Sequence, residues 1–239
     1  MNGLPLGFGD TITSRDVAVI DTNSEALGVT RLQLMENAGR AVALEVHKRL
    51  AGRRGARVTV FAGPGGNGGD GLAAARHLAF LGYQVEVLIL ARPGEIRSEE
   101  ARRMYEALEQ MDLSVNLKVA VDPGRLEPVT SDVVIDAILG VGLRGAPRSP
   151  YKEAIEAINK SEGLKVAVDV PSGLDSDTGE APGAAVRADV TVTLHKPKPG
   201  LAARPDLTGE VVVYSIGAPP EAEIYVGPGD VLHRYPRRS

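Results

Sequence analysis

The apolar run VTVFA (residues 58–62) passes directly into GPGGNGGDG (residues 63–71), and that stretch directly into LAAARHLAFLG. Glycine permits φ > 0 and close backbone approach, at an entropic cost that an ordinary loop has no reason to carry. Six glycines in nine residues, set between a strand pattern and a helical one, therefore constrain the fold strongly. They mark a strand-to-helix turn whose backbone comes close to something, and the N-terminal end of a helix is a natural place for an anionic ligand.

The same alternation continues along the chain. Leu34, Ala38, Val42, Val46 and Leu50 stand four apart and predict a helix before the first strand. RVTVFA, QVEVLIL, VVIDAI, KVAVDV, ADVTVTL and EVVVYSI read as strands. SEEARRMYEALEQM and PYKEAIEAINK read as helices, the former with Ser98 ahead of two glutamates that suit the positive end of the helix dipole. Near-continuous apolar strands separated by helices indicate a mostly parallel sheet covered on both faces. No repeat, low-complexity tract or linker divides the chain, so a single domain over residues 1–239 is expected. The stretch KPKPGLAARPD reads as an excursion before the last strand.

Several function classes drop out on composition. Lys and Arg number 27 against 31 Asp and Glu, a net charge of -4, so no basic field recruits nucleic acid. The terminal HRYPRRS is basic but short. With no cysteine, disulfides, thiolate metal sites and a cysteine nucleophile are excluded. The opening residues do not read as a signal peptide, and no apolar run reaches the roughly 20 residues of a membrane span. The expectation is a cytoplasmic protein with no membrane or nucleic-acid partner.

GPGGNG fits the dinucleotide fingerprint G-x-G-x-x-G literally, but the fingerprint also wants an acid at the far end of the second strand. Here Glu86 sits near the beginning of QVEVLIL and Arg92 follows its end. No Lys-Ser/Thr pair follows the glycines, so the loop is not a P-loop. Two further polar positions share its topology: Asp136 ends VVID ahead of AILGVGLRG, and Asp169 ends KVAVD ahead of VPSGLDSDTG. In an open parallel sheet, ligands sit in the crevice beyond the carboxyl ends of the strands, where all three loops converge. The four histidines have no metal-ligand spacing and read as packing or surface residues. Ser172 is outside G-x-S-x-G, and Asp175 with Asp177 lacks the rest of a calcium loop. Carboxylate acid/base chemistry remains, with amide, hydroxyl and carboxylate oxygens available to a hard cation.

Five stretches in order, MENAG, GPGGNGGDGL, VIDAILGVGLRG, VDVPSGLDSDTG and TLHKPKPGL, closely resemble the YjeF N-terminal domain family, the NAD(P)HX epimerases. The family's first loop usually reads NNGGDG, and Gly66 stands here in place of the first asparagine. The resemblance implies a Rossmann-like three-layer sandwich. It also implies epimerisation of the R and S forms of hydrated NADH and NADPH, so that a dehydratase specific for S can restore the cofactor. One potassium ion per subunit, held by Asn67, Asp136 and Ser172, belongs to that pattern. So does a substrate site of Gly66, Asn67, Gly68, Gly69, Asp70, Gly140, Val141, Gly142, Leu143, Arg144, Gly145, Ala146 and Asp169.

Asp169 is the candidate for proton transfer to the departing hydroxyl, a task that needs a carboxyl within hydrogen-bond reach. Loss of the hydroxyl and ring opening both stay open as routes. Many relatives carry a fused dehydratase domain; none is expected in this chain, so the dehydratase would be a separate partner, and a homodimer is left open. Two rivals remain. One is a non-catalytic nucleotide-sensing or dimerisation module of the same fold, which has no need of Asn67, Asp136 and Asp169 together. The other is an oxidoreductase using intact nicotinamide cofactor, against which the missing acid after the second strand stands.

Overall fold

A computed structural model describes residues 10–234. The readings of the chain's opening and of the last five residues of HRYPRRS fall wholly or partly outside that range. Two helices, α1 (Ser14–Ala26) and α2 (Arg31–Arg49), precede the first strand, β1 (Arg57–Ala62). Next come α3 (Gly66–Phe80), β2 (Gln84–Ile89), α4 (Glu99–Glu109), β3 (Val115–Val119), β4 (Thr130–Ala137) and α5 (Tyr151–Lys160). The rest is β5 (Glu162–Val168), β6 (Val190–Leu194), the short helices α6 (Pro199–Ala203) and α7 (Pro205–Thr208), β7 (Glu210–Tyr214) and α8 (Glu221–Ile224).

The seven strands form one sheet in the order β3-β2-β1-β4-β5-β6-β7, and every neighbouring pair is parallel. Alternate residues serve the two faces, as the two-residue strand period demands. Val58, Val60 and Ala62 of β1, with Val133, Ile135 and Ala137 of β4, join the core under α2, α3 and α4. Phe61, Val134 and Ala167 point the other way, into the cluster beneath Ala154, Ile155 and Ile158 of α5. This is the expected three-layer sandwich, wholly parallel within the described residues.

The order locates the crevice. From β1 the chain steps outward through β2 to β3, returns to the other side of β1 as β4, and then steps outward the opposite way to β7. Connections leaving the adjacent ends of β1 and β4 therefore diverge, and a crevice opens between them. Residues 63–71 leave β1, and residues 138–146 leave β4. Ser98 caps α4 as its sequence predicts, accepting from the Ala101 amide at 3.0 Å.

The glycine stretch departs from its reading as a loop. The helix α3 already begins at Gly66, so most of these glycines form its first turns. Four of the six glycines approach the protein itself, Gly69 against Met35 and Gly71 against Ala137 among them. A Cβ on Gly63 would stand 2.0 Å from the Ile138 carbonyl oxygen, and one on Gly68 would stand 1.8 Å from that of Gly63. Gly65 and Gly66, by contrast, have nothing within 4 Å of a Cβ position. Packing accounts for those four glycines, and Gly65 and Gly66 border open space.

Candidate active site

A cavity of about 300 Å³ opens at the divergence of β1 and β4. Gly66, Asn67 and Asp70 reach it from the start of α3, and Gly140 and Val141 from the loop after β4. Asp169 enters from the end of β5, and Leu194, His195 and Lys198 from the segment after β6. Asp21 of α1 and Arg31 and Met35 of α2 close the opposite side. A second cavity of about 830 Å³ adjoins it, sharing Val17, Asp21, Arg31 and Val141, and takes in Gly142, Leu143 and Arg144. Gly68 and Gly69 are buried behind the surface, while Gly145 and Ala146 line neither cavity.

Asp136 and Ser172 line neither cavity; they are fully buried and bonded to each other. The Ser172 hydroxyl donates to Asp136 Oδ1 at 2.5 Å, and the Ser172 amide donates to Oδ2 at 2.7 Å. Burial pushes the Asp136 carboxyl up to about 6, against the bonds from Ser172 and Ile138. The Leu139 amide donates to Ser172 Oγ at 2.8 Å, which ties the loop after β4 to this pair. The next residue, Gly140, abuts Asn67: a Cβ there would stand 3.3 Å from Asn67 Cγ. Both Asn67 Oδ1 and Nδ2 are buried without a hydrogen-bond partner. Buried amide groups are nearly always satisfied, and this one has no partner among the described residues. An amide oxygen, a carboxylate and a hydroxyl in one neighbourhood are a donor set that suits a hard cation.

Asp169 sits in the left-handed region at φ 64, directly after β5. Its amide donates to the Val192 carbonyl at 2.8 Å, which fixes the turn against β6. Oδ1 accepts from the Leu194 amide at 3.0 Å, from Thr193 Oγ1 at 3.3 Å and from Lys198 Nζ in a short ion pair. Oδ2 accepts no bond from the described residues and is the oxygen left for a ligand. Lys198 is only 1% exposed and also donates to the Leu194 carbonyl at 2.8 Å. A lysine is held in such a place only by paired charge and satisfied donors.

Asp70 carries no hydrogen bond from the described residues. Burial, then the Asp169 and Asp21 charges, raise its carboxyl well above the usual range, with Lys198 opposing. Asp21 is pushed up to about 6, mainly by burial, with Arg31 opposing and Asp169 adding to the rise. His195, at φ 67, meets Glu223 at 2.5 Å through Nε2, and Glu223 also accepts from Lys196 at 2.6 Å. Burial holds the His195 ring below its ordinary value.

His195 lines the cavity at the left-handed turn after β6, while its ring is paired with Glu223. The other three histidines do pair structurally, His47 with Tyr83, His77 with Glu36 and His233 with Thr22. Glu86 is tied to Asn116 and Lys118 across β2 and β3. Asp177 anchors the start of α1 through Ser14, and Asp175 closes its own turn onto Thr178.

Lys198 and Asp21 escaped the reading by sequence. Lys198 stands in TLHKPKPGL, four residues beyond the buried strand β6, whereas Asp136 lies at the end of β4 and Asp169 directly follows β5. Asp21 rides on a helix whose start signal was available: Thr13 and Asp16 form a capping box.

The sequence model described as YjeF-related protein N-terminus matches residues 31–200. The chain is 68% identical over 240 residues to the bifunctional NAD(P)H-hydrate repair enzyme Nnr of Hyperthermus butylicus, covering all of this chain and 44% of that protein. It thus spans under half the length of that relative. It is also 47% identical over 213 residues to the NAD(P)H-hydrate epimerase of Cenarchaeum symbiosum, covering 89% of this chain and 97% of that one. A crystal structure of yeast ynu0, YNL200c, superposes with a TM-score of 0.72 at 32% identity, covering 86% of this chain and 87% of that one. The fold, the crevice between the two glycine-bearing connections and the match over residues 31–200 make this chain a member of the YjeF-related N-terminus family.

Proposed function

We propose that the protein epimerises hydrated NADH and NADPH, interconverting the R and S forms at the ring carbon that carries the added hydroxyl. One observation carries this reading. A cavity at the sheet's switch point brings together carboxylates with unlike partners, Asp169 on Lys198 and Asp70 with none. Such a set handles protons rather than hydride, and it suits a reaction whose chemistry is loss and return of water. The printed names of the Hyperthermus and Cenarchaeum relatives agree with it. The first cavity is at the small end for a ligand site, and the adjoining one supplies room for the rest of a dinucleotide.

In this reading Gly66 leaves space for the substrate, the first turn of α3 offers backbone N–H groups to its phosphates, and the loop with Gly140 and Val141 borders the reacting ring. Gly142, Leu143 and Arg144 face the remainder. A potassium ion at Asn67, Asp136 and Ser172 is part of the proposal, supported by the unpartnered Asn67 amide. When bound it would fix the two connections together and orient oxygens. The test is direct: R-NADHX is supplied with a dehydratase specific for S, and consumption of the R form is followed with and without this protein. Consumption at the spontaneous rate in both would refute the reading.

A further inference from the structure

Among the described residues, Asp169 is the one acid of the cavity held by a buried cation. Its Oδ1 is saturated by Lys198, Leu194 and Thr193, while Oδ2 stays open. Asp70 lines the same cavity from α3, half-buried, with neither a cation nor a donor on it. Two carboxyl groups in one cavity with such different partners are suited to opposite proton-transfer roles.

We propose that Asp70 is the catalytic acid of the epimerisation and that Asp169, anchored by Lys198, is its partner base. The inference rests on the epimerase reading above and assigns the two halves of its chemistry. In the first half, Asp70 gives its proton to the hydroxyl oxygen as the carbon–oxygen bond breaks. The bonding pair leaves with that oxygen as water, and the ring nitrogen lone pair closes a carbon–nitrogen double bond. In the second half, water forms the new carbon–oxygen bond on the other face and the π pair returns to nitrogen. The surplus proton passes to Asp169 Oδ2, and its transfer through solvent to Asp70 resets the site. Lys198 touches no reacting atom in this scheme and is a positioning residue.

The surroundings of Asp70 agree with an acid's role. Asp169 and Asp21 face it with like charge, and Lys198 with opposite charge; Arg31, Glu100 and His195 complete the charged lining among the described residues. Burial and the two aspartates favour its protonated form. Activity that needs protonated Asp70 falls as pH rises through its folded-state pKa, and a variant without that group lacks this alkaline limb.

The experiment compares wild type, Asp70→Asn and Asp70→Ser in R-to-S conversion across pH, with S-NADHX affinity measured separately by calorimetry. Asp70→Asn is expected to bind within a few-fold of wild type, to lose about 10²–10⁴-fold in kcat and to lose the alkaline limb. Added formic acid is expected to restore part of the activity of Asp70→Ser. Turnover of Asp70→Asn within a few-fold of wild type overturns the assignment. So does a loss of affinity that matches the loss of turnover, since Asp70 is then an anchor. If Asp70→Asn does not fold, the Asp70→Ser rescue decides alone, and its absence counts against the acid. An inactive wild type would instead refute the epimerase reading, so the two failures are distinct.

Discussion

Adding a methyl group at Gly68 is expected to damage the fold, whereas adding one at Gly66, two residues earlier, is expected to spare it. A Cβ on Gly68 would lie 1.8 Å from the Gly63 carbonyl oxygen, 2.7 Å from its carbon and 2.9 Å from its nitrogen. Contacts under 3.0 Å force a shift, here of more than an ångström, and all three atoms are backbone. Gly63 has no room to retreat: its amide donates to the Ala137 carbonyl at 2.9 Å, and its own Cβ position is blocked by Ile138. Overpacking against mobile side chains costs about 1–3 kcal/mol, and rigid backbone on both sides places Gly68→Ala at the top of that range, about 3 kcal/mol or above. For a chain of this length that lowers Tm by about 6–12 °C.

At Gly66 the Cβ position is open and the residue is the first of α3, so alanine gains about 0.4–1 kcal/mol from the reduced freedom of the unfolded chain. Gly66 also lines the cavity, so the methyl group should weaken substrate binding while Tm holds or rises. Thermal unfolding of both variants, with substrate affinity of Gly66→Ala, tests the division. Equal Tm for Gly68→Ala and wild type would refute the packing argument, and unchanged affinity in Gly66→Ala would refute the assignment of that glycine to the ligand.

Asp169→Asn leaves Lys198 buried without its anion, so it is expected to lose about 3–5 kcal/mol of stability by urea unfolding, and Asp169→Asn with Lys198→Met to recover part of it. Additive losses in the double variant would show that the pair is not coupled. Potassium at about 100 times its Kd should stabilise wild type by about 2.7 kcal/mol relative to lithium, and Asn67→Ala should abolish the difference; equal gains in both proteins would count against the site. Asp21, raised to about 6 from 3.8, favours the folded state only while protonated, so its relative contribution is best below pH 4 and is lost as pH climbs through 6. Asp21→Asn should therefore be more stable than wild type at pH 8, by about 1–2 kcal/mol once solvent screening of this mostly buried but still accessible group is allowed for, and no more stable at pH 4. The same gain at both pH values would refute the sign.

The sheet was legible wherever a strand is buried on both faces. RVTVFA and the strands around it are near-continuous apolar runs, and in a parallel sheet between helices such runs have no alternative use. VNLKV at one sheet edge is not legible because Asn116 and Lys118 interrupt its apolar residues, whereas EVVVY at the other edge, equally exposed, keeps an apolar run. The carboxylates Asp136 and Asp169 were visible for a related reason: an acid that closes a buried strand stands out against its neighbours. α1 carries few apolar residues in SRDVAVIDTNSEA, so neither the helix nor Asp21 on it stands out in the sequence.

Lys198 shows where such reasoning ends. In HKPKPG, a lysine between two prolines reads as a surface residue on a polar excursion. Its burial follows from two residues held at positive φ, Asp169 after β5 and His195 after β6. Left-handed backbone is costly for a residue with a side chain, and it persists where surrounding bonds over-determine it. At Asp169 those bonds run from its amide to Val192, and from Leu194 and Lys198 to its carboxylate. At His195 they run from its amide to the Tyr214 carbonyl at 2.7 Å, and between its ring and Glu223. The turn at Asp169 thus depends on β6 and the segment after it, and the turn at His195 on β7 and α8. The two αL residues bring a carboxylate and an ammonium from different strand ends onto one point. That point is the wall of the cavity opposite α1, which is why the ion pair belongs to the site and why no single stretch of sequence contains it.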